Sequence, residues 1–159
     1  MRQRLVVTGD HLALSPDDVY AFVLRFEDHA DRTTAVRSIE VTTGDDGERR
    51  SAWSVNFRNG LLCWTQIDRF DHARRTLSFT LTQGDPVFLD GSWSVTTVNG
   101  HTRLTFDCRF DLGVGTLSSA LDPLAGRILK ETIIAHMSQL LGPAAAMVAD
   151  GPHPDHSPT

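Results

Sequence analysis

Residues 53–71 read Trp-Ser-Val-Asn-Phe-Arg-Asn-Gly-Leu-Leu-Cys-Trp-Thr-Gln-Ile-Asp-Arg-Phe-Asp. Apolar and polar residues alternate on both sides of Asn59-Gly60, and this dipeptide between alternating runs is a strong signal for a β-hairpin. The same dipeptide recurs at Asn99-Gly100, again between alternating runs. The middle of the chain therefore predicts antiparallel hairpins that follow one another in sequence order.

Seven strands are predicted from this alternation and from the glycine-rich turns that interrupt it. Their ranges are 4–8, 36–43, 48–58, 61–70, 76–83, 89–98 and 101–111.

Helices are predicted on both sides of the strand-rich region. Ser15-Pro16-Asp17-Asp18 has the features of a helix start, with Ser as the N-cap, Pro at the first helical position and acidic residues in the first turn. A second short helix is expected over 27–32, and residues 117–141 carry one long helical pattern. The segment 143–159 is rich in Pro and polar residues and is predicted to be a disordered tail.

These elements indicate a single α+β domain over residues 1–142. One face of a curved antiparallel sheet of seven strands must be covered by another element, and only the C-terminal helix is long enough to cover it. Because one helix cannot fill all the space beneath a strongly curved sheet, an interior cavity is expected.

The composition limits the functions that this domain can have. The 159 residues carry a net charge of −5, which disfavours binding to nucleic acid and to anionic lipid. No apolar run approaches the ~18 residues that span a bilayer, and the N-terminus lacks the pattern of a signal peptide. We therefore expect a cytoplasmic protein. Cys63 and Cys108 lie in separate strands and are expected to be free thiols.

Motifs for common cofactors are missing from the sequence. The chain has no glycine-rich nucleotide loop, no nucleophile elbow and no His/Cys spacing that suits zinc. The sequence therefore predicts no metal and no cofactor, and its partner is expected to be a hydrophobic small molecule held in the cavity.

Strand alternation predicts which side chains face that cavity, with the apolar set of each strand placed inward. The predicted contact residues on the strands are Trp53, Phe57, Trp64, Ile67, Phe79, Leu81, Gln83, Trp93, Phe106 and Phe110.

Strand 61–70 has two faces of similar polarity. The face with Ile67 and Arg69 is placed inward, because the other face contains the harder-to-bury Gln66 and Asp68. A β-bulge would exchange the two faces and bring Trp64 and Asp68 inward. On the preferred face Arg69 is the one inner charge, and a buried Arg needs a partner or a ligand. In the alternative, Arg69 is an end-of-strand residue that pairs with a neighbouring Asp at the rim.

The C-terminal helix has a stripe that is apolar in its first half and polar towards its end. Ile128 belongs to the apolar half, and Thr132, His136 and Gln139 lie on or beside the polar half. Such polar residues either line a wet cavity or are core groups that bond to the backbone. We predict that Ile128, Thr132 and Gln139 contact the ligand and that His136 transfers protons.

Four stretches resemble the START-like, Bet v 1-like superfamily. They are the hairpin 53–71, Gly91-Ser-Trp93, Phe110-Asp-Leu-Gly113, and Leu121-Asp-Pro123 leading into the last helix. Within the superfamily, the sequence is most similar to bacterial polyketide aromatase/cyclases. The resemblance covers roughly 4–141 and implies a helix-grip fold, in which the sheet wraps around the C-terminal helix.

The resemblance also implies a role for Arg69. In the aromatase/cyclases an Arg after the tryptophan-bearing fourth strand projects into the pocket to orient a poly-β-ketone, and Arg69 matches that position. The second pocket Arg of the family falls near Leu81–Thr82, and a family tyrosine falls near Val36. The implied pocket is therefore less polar than an aromatase pocket.

The expected function is the cyclisation of a polyketide-type intermediate, with or without dehydration, in natural-product biosynthesis. The cavity would fold the substrate, Arg69 would stabilise developing negative charge, and His136, Asp68 or Asp85 would transfer a proton. An acyl carrier protein is a candidate partner, and a monomer or homodimer is expected. Two alternatives use the same aromatic wall: a non-catalytic carrier of a hydrophobic metabolite or lipid, and a cyclase that depends on shape rather than on acid–base chemistry.

Overall fold

The structure is a computed structural model. It describes residues 2–26, 28, 35–44, 48–57, 60–113 and 121–155, with the backbone alone at 57 and 121–126. In chain order the elements are β1 (Gln3–His11), α1 (Pro16–Leu24), β2 (Val36–Thr43), β3 (Arg49–Phe57), β4 (Gly60–Asp71), β5 (Thr76–Gly84), β6 (Phe88–Val98), β7 (His101–Asp111), α2 (Leu121–Leu141) and β8 (Ala146–Pro154).

The described strands form one antiparallel sheet in the order β2-β3-β4-β5-β6-β7-β1-β8. From β2 to β7, neighbours in the sheet are also neighbours in sequence, as hairpin connections require. The two helices lie on the concave face of the sheet, and the main hydrophobic core fills the space between the helices and the sheet. The α+β, helix-grip-like architecture is therefore as predicted, whereas the strand number is not.

The prediction of a disordered tail over 143–159 is wrong for residues 146–154, and the last four residues lie outside the described part. Ala146–Pro154 forms β8, which pairs with β1. This pairing satisfies backbone groups that β1 would otherwise expose at a sheet edge. Gly9 of β1 makes the close approach feasible, since a Cβ there would lie 2.6 Å from Leu141 Cδ1 and 2.9 Å from the Met147 sulfur.

Helix α1 begins where the sequence indicates. The Ser15 hydroxyl accepts a hydrogen bond from the Asp18 backbone N–H at 3.1 Å, and Pro16 occupies the first helical position. Val19 and Val23 are fully buried on its inner face. The second short helix expected over 27–32 lies almost wholly outside the described residues, as does the start of the long helix at 117–120.

Helix α2 packs against β1, β3, β8 and α1. Its buried positions include His136, Met137 and Leu140, while Gln139 is exposed. The predicted stripe was therefore misplaced around the helix, because α2 is covered on one side by β1 and β8 as well as by the centre of the sheet. Neither described helix is long and apolar enough to cross a membrane.

The register of the β3–β4 hairpin decides which side of β4 faces inward. Phe57 pairs with Gly60, so two residues, 58 and 59, connect the strands, and Trp53 lies directly opposite Trp64. Directly opposed residues in an antiparallel pair share one face of the sheet. Since Trp53 is buried, the inner face of β4 carries Trp64, Gln66 and Asp68, and the prediction of an inward Arg69 face is wrong.

A bulge interrupts the next pair of strands. Thr65 pairs with Gln83 and Gln66 with Leu81, which leaves Thr82 as the additional residue on β5. Gly84, two residues further on, has φ +140° and lies against β4. A Cβ at Gly84 would lie 2.4 Å from the Trp64 Cα atom, so only glycine fits beside this tryptophan.

We expect Gly84→Ala to lower the free energy of unfolding by at least ~2 kcal/mol, because it combines a strained φ with a backbone clash. Gly60→Ala at the start of β4 is the matched control, since a Cβ there meets nothing within 4 Å. We expect that change to stay within about 0.5 kcal/mol. Urea unfolding of both variants measures the difference, and equal stabilities would contradict the close approach at Trp64.

Candidate functional site

A partly enclosed cavity lies between the concave face of the sheet and α2. Its wall consists of Val36, Trp53, Val55, Trp64, Gln66, Phe79, Leu89, Trp93, Phe106, Cys108, Leu129, Thr132, Ile133 and His136. Its volume is about 50 Å³, which is enough for a few water molecules. Pockets that hold drug-sized ligands measure ~300–1,000 Å³. A larger ligand therefore has to displace wall side chains when it enters.

Two larger depressions lie on the outer face of the sheet, but both are wide open to solvent. One is lined mainly by hydroxyl groups and by the ion pairs Arg4–Asp107 and Arg109–Asp90. The other lies over β2–β5 and includes Cys63. Neither encloses an apolar molecule, so the interior cavity is the better candidate for a ligand site.

The cavity wall is mainly aromatic. Trp53 and Trp64 lie parallel with ring centroids 5.8 Å apart, and Trp93 meets Phe106 edge to face at 4.6 Å. Phe79 stacks on Phe106 at 5.8 Å. Together these rings provide flat apolar surfaces in the cavity wall.

His136 is the titratable side chain of α2 that reaches this wall. It is 2% exposed, and its ring centroid lies 6.0 Å from that of Trp53 and 5.6 Å from that of Trp93. An imidazole is the side chain best suited to proton transfer near neutral pH. Its position between two indoles places a titratable side chain in a mainly aromatic wall.

A buried carboxylate lies behind the wall. Asp68 is fully buried and accepts hydrogen bonds from Ser51 Oγ at 2.8 Å, Gln66 Nε2 at 2.6 Å and Arg49 Nε at 3.1 Å. Asp68 is not part of the cavity wall. It was predicted as a proton-transferring residue, but the structure places it one hydrogen bond away from the cavity.

Both stacked indoles are attached to this carboxylate through one intermediate residue. Trp53 Nε1 donates to Ser51 Oγ at 2.9 Å, and Trp64 Nε1 donates to the Gln66 Oε1 atom at 2.7 Å. Buried indole N–H groups need such partners. The network therefore fixes the two rings that form one side of the cavity.

Burial raises the pKa of the Asp68 carboxyl above its ordinary value. Hydrogen bonds from Gln66 and Ser51 and the charge of Arg49 act in the opposite direction and favour the ionised form. These neighbours thus offset part of the cost of desolvation, which remains the largest effect on this carboxyl.

Arg49 is the cation that accompanies this carboxylate in the interior. Its side chain is 13% exposed, its Nη1 donates to the Leu24 carbonyl at 2.6 Å, and its guanidinium lies over the rings of Phe26 and Phe70 at 4.1 and 4.8 Å. Arg49 was not predicted as a site residue. Its position directly opposite Asp68 in the β3–β4 pairing is the signal that would have identified it.

The prediction that Arg69 projects into the cavity is wrong. Arg69 lies on the outer face of β4, its side chain is 58% exposed, and its Nη2 pairs with Glu48 Oε1 at 3.1 Å. The rim alternative described its environment better, although the partner is a Glu rather than an Asp. Ile67 lies on the same outer face and does not reach the cavity either. Asp85, at the start of the β5–β6 connection, is exposed and accepts from the Cys63 backbone N–H.

The other predicted contact residues divide into two groups. Those that do line the cavity are Trp53, Trp64, Phe79, Trp93, Phe106, Thr132 and His136. Those outside its wall are Leu81, Gln83, Phe110, Ile128 and Gln139, and the side chain of Phe57 lies outside the described residues.

The misplaced residues have separate physical causes. Gln83 is exposed because the bulge at Thr82 moves it off the inner face. Gln139 and Ile128 are turned away because the buried stripe of α2 runs through Leu129 and His136 instead. Leu81 is half-buried against the margin of the core, and Phe110 is buried in a part of the core away from the cavity.

Several wall residues were missed by the sequence analysis. The most informative is Gln66, which is 2% exposed and lines the cavity. A two-residue connection pairs odd-numbered residues of β3 with even-numbered residues of β4, so the buried Trp53 already implies an inward Gln66. Within the described residues, no three His, Cys, Asp or Glu side chains come together as metal ligands.

The sequence matches the model of a known protein family. The model of the family described as "Polyketide cyclase / dehydrase and lipid transport" matches residues 12–137. No curated protein matches the sequence.

Solved structures share the fold at low sequence identity. TTHA0849 from Thermus thermophilus superposes with a TM-score of 0.78 at 19% identity, covering 86% of this chain and 93% of that one. The Zhui aromatase/cyclase from Streptomyces sp. R1128 gives 0.76 at 18% identity, covering 91% and 94%. A START superfamily protein from Mycobacterium smegmatis gives 0.67 at 15% identity, covering 87% and 94%. At these identities the likeness establishes the fold.

The two Arg–carboxylate pairs of β4 provide a matched test of burial. We expect Arg49→Gln to lower the free energy of unfolding by roughly 3 kcal/mol at pH 7, because it leaves the Asp68 carboxylate buried without its cation. We expect Arg69→Gln to change it by less than about 1 kcal/mol, since that pair is exposed. Chemical unfolding at pH 7 measures both.

The loss in Arg49→Gln should shrink as the pH is lowered from 7 towards the ordinary pKa of an aspartate carboxyl. A carboxyl with a raised pKa in the folded state binds its proton more readily there, so its contribution to stability falls as pH rises and recovers as pH falls. Without Arg49 the pKa of Asp68 rises further, which strengthens this trend. A loss that is independent of pH, or equal in the two variants, would contradict the role given to the buried pair.

Proposed function

The chain belongs to the polyketide cyclase/dehydrase and lipid transport family, and from this premise we propose that it binds a hydrophobic polyketide-type intermediate and templates its cyclisation. The observation that carries the proposal is a buried imidazole set between two indoles in the cavity wall. An apolar ligand could be held without His136. A ring closure, in contrast, needs a group that moves a proton.

The aromatic wall would act first, by folding the substrate. A flexible poly-β-ketone has many conformations, and stacking on Trp53, Trp64 and Phe106 would restrict it to those in which the reacting carbons meet. Such restriction contributes several kcal/mol in well-oriented intramolecular reactions, on the order of 7–11 at most. The amide of Gln66 and the hydroxyl of Thr132 are the neutral polar groups of the wall that would hold ketone oxygens.

His136 would then transfer the proton. In its neutral form the imidazole removes a proton from the carbon between two carbonyls, and the resulting enolate carbon attacks a second ketone carbon. One carbon–carbon bond forms, and the ketone oxygen takes the proton back from the imidazolium. The product is an isomer of the substrate, and loss of the new hydroxyl with an adjacent hydrogen as water would give the dehydrated ring. No external oxidant or reductant is needed.

The non-catalytic carrier remains the second candidate, and a specific observation favours it. Within the described part of the cavity wall there is no Arg or Lys side chain to stabilise an enolate. Arg49 lies behind the wall, and Arg69 is on the outer face. A carrier needs the apolar wall alone, so the two functions differ in whether His136 matters for turnover.

We expect His136→Gln to slow cyclisation by about 100-fold or more, which is the usual scale for removing a general acid–base group. Ligand affinity should change by less than about threefold, because the amide keeps the size and polarity of the site. Product formation from a reactive polyketide synthase mixture is followed by liquid chromatography with mass spectrometry. His153→Gln on β8 is the matched control, since His153 lies far from the cavity wall and is half-exposed.

Native mass spectrometry of the purified protein separates the two functions. A bound molecule that leaves unchanged, together with equal product levels in His136→Gln and wild type, would overturn the cyclase proposal in favour of the carrier. A cyclised product that forms only with wild type and His153→Gln would support it. The involvement of an acyl carrier protein stays a prediction from the sequence.

A further inference from the structure

The orientation of the Gln66 side-chain amide is determined by its two neighbours. Its Oε1 atom lies 2.7 Å from Trp64 Nε1, which can only donate, and its Nε2 atom lies 2.6 Å from Asp68 Oδ1, which accepts when ionised. Exchanging the oxygen and nitrogen of the amide would place donor against donor and acceptor against acceptor. The amide is thus locked in one of its two orientations.

This locked amide has unused hydrogen-bonding capacity. A primary amide offers two N–H donors and two lone pairs on its oxygen. Trp64 donates to one of the lone pairs and Asp68 accepts from one of the N–H groups, and no other described residue bonds to the amide. Gln66 is 2% exposed and forms part of the cavity wall. Because buried polar groups normally find partners, a ligand in the cavity is the natural partner for the second N–H and the second lone pair.

Asp68 keeps the amide in this orientation without reaching the cavity itself. Its other oxygen is held by Ser51 at 2.8 Å and Arg49 at 3.1 Å, so the carboxylate cannot rotate away from Gln66 without breaking both bonds. In an Asp68→Asn variant, the side-chain NH2 group would face Gln66 while the oxygen accepts from Ser51 and Arg49. The Gln66 amide would then meet a donor on each side, and neither of its orientations would satisfy both neighbours.

We propose that Asp68 is a positioning residue that sets the specificity of the cavity through Gln66, favouring a planar ring that carries a hydroxyl or carbonyl oxygen over the corresponding hydrocarbon. The proposal rests on the proposed function in one respect, namely that the cavity binds a planar, largely apolar molecule. It adds which atoms of that molecule are recognised. The stacked Trp53 and Trp64 hold the ring, and the oxygen bonds to the spare positions of the amide.

The experiment compares two probes of nearly equal size, 2-naphthol and 2-methylnaphthalene. They differ in whether a hydroxyl or a methyl group is attached to the same ring. Quenching of tryptophan fluorescence gives the dissociation constant of each. We expect wild type to prefer 2-naphthol by about fivefold to tenfold, the scale of one neutral hydrogen bond.

Four variants locate the source of this preference. Gln66→Met removes the amide, and Asp68→Asn removes its anchor, so both should reduce the preference to within about twofold. The double variant should have the same preference as Gln66→Met alone, because Asp68 acts through Gln66. Asp90→Asn is the matched control, since Asp90 is a half-buried carboxylate paired with Arg109 on the outer face, and it should keep the wild-type preference.

Nuclear magnetic resonance of wild type provides the test should Asp68→Asn fail to fold. The Gln66 Nε2 group gives two proton signals, of which one belongs to the proton bonded to Asp68. We expect the other proton to shift on addition of 2-naphthol and to stay in place with 2-methylnaphthalene. An unmoved second proton under saturating 2-naphthol would overturn the proposal.

The outcomes distinguish this inference from the proposed function. Equal affinities of wild type for the two probes, or a preference that persists in Asp68→Asn, overturn the positioning role while binding in the cavity stands. Failure of wild type to bind either probe overturns both, because the cavity then does not accept planar molecules. Loss of the preference in Gln66→Met and Asp68→Asn, with retention in Asp90→Asn, supports the role of Asp68.

Discussion

A negative charge buried beneath the sheet is the constraint on which the site depends. Asp68 has no contact with solvent, and burying a carboxylate is strongly unfavourable unless several donors surround it. Ser51, Gln66 and Arg49 provide those donors. Since all four side chains come from β3 and β4, the buried charge constrains the pairing of the two strands in addition to the hydrophobic pattern. The orientation of the cavity wall follows from that pairing.

This arrangement is unfavourable for the stability of the fold, but it fixes the geometry of the site. Replacement of both Asp68 and Arg49 by apolar residues would remove a desolvated ion pair, which is often neutral or favourable for folding. It would also release Trp53 and Trp64, whose indole N–H groups are anchored through Ser51 and Gln66. Held as they are, the rings stay parallel at 5.8 Å. A polar network at this place is thus better explained by the function of the wall than by the stability of the core.

Much of the fold could be predicted from local patterns, and the largest errors come from long-range pairing. The turn residues and alternation indicate β2 to β7, and Ser15-Pro16 indicates the start of α1, because these signals act within a few residues. The strand at 146–154 carries no such pattern. It forms because β1 offers an open edge. The resulting pairing brings together residues as distant in sequence as Gly9 and Met147.

In the candidate site, one wrong choice of the inward face of β4 misplaced several residues. Gln66 and Asp68 were placed outward because polar residues are unfavourable to bury, but that argument weighed each residue alone. In the folded chain the Gln66 amide donates a hydrogen bond to the Asp68 carboxylate, and Arg49 and Ser51 donate the others. Residue parity across a two-residue connection would have overruled the polarity argument, since Trp53 and Val55 can only face even-numbered residues of β4. Where the two faces of a strand are similar in polarity, the register with a partner strand whose inner face is clear should decide which face lies inward. The polar residues that this register places inward are then the first candidates for a specific site.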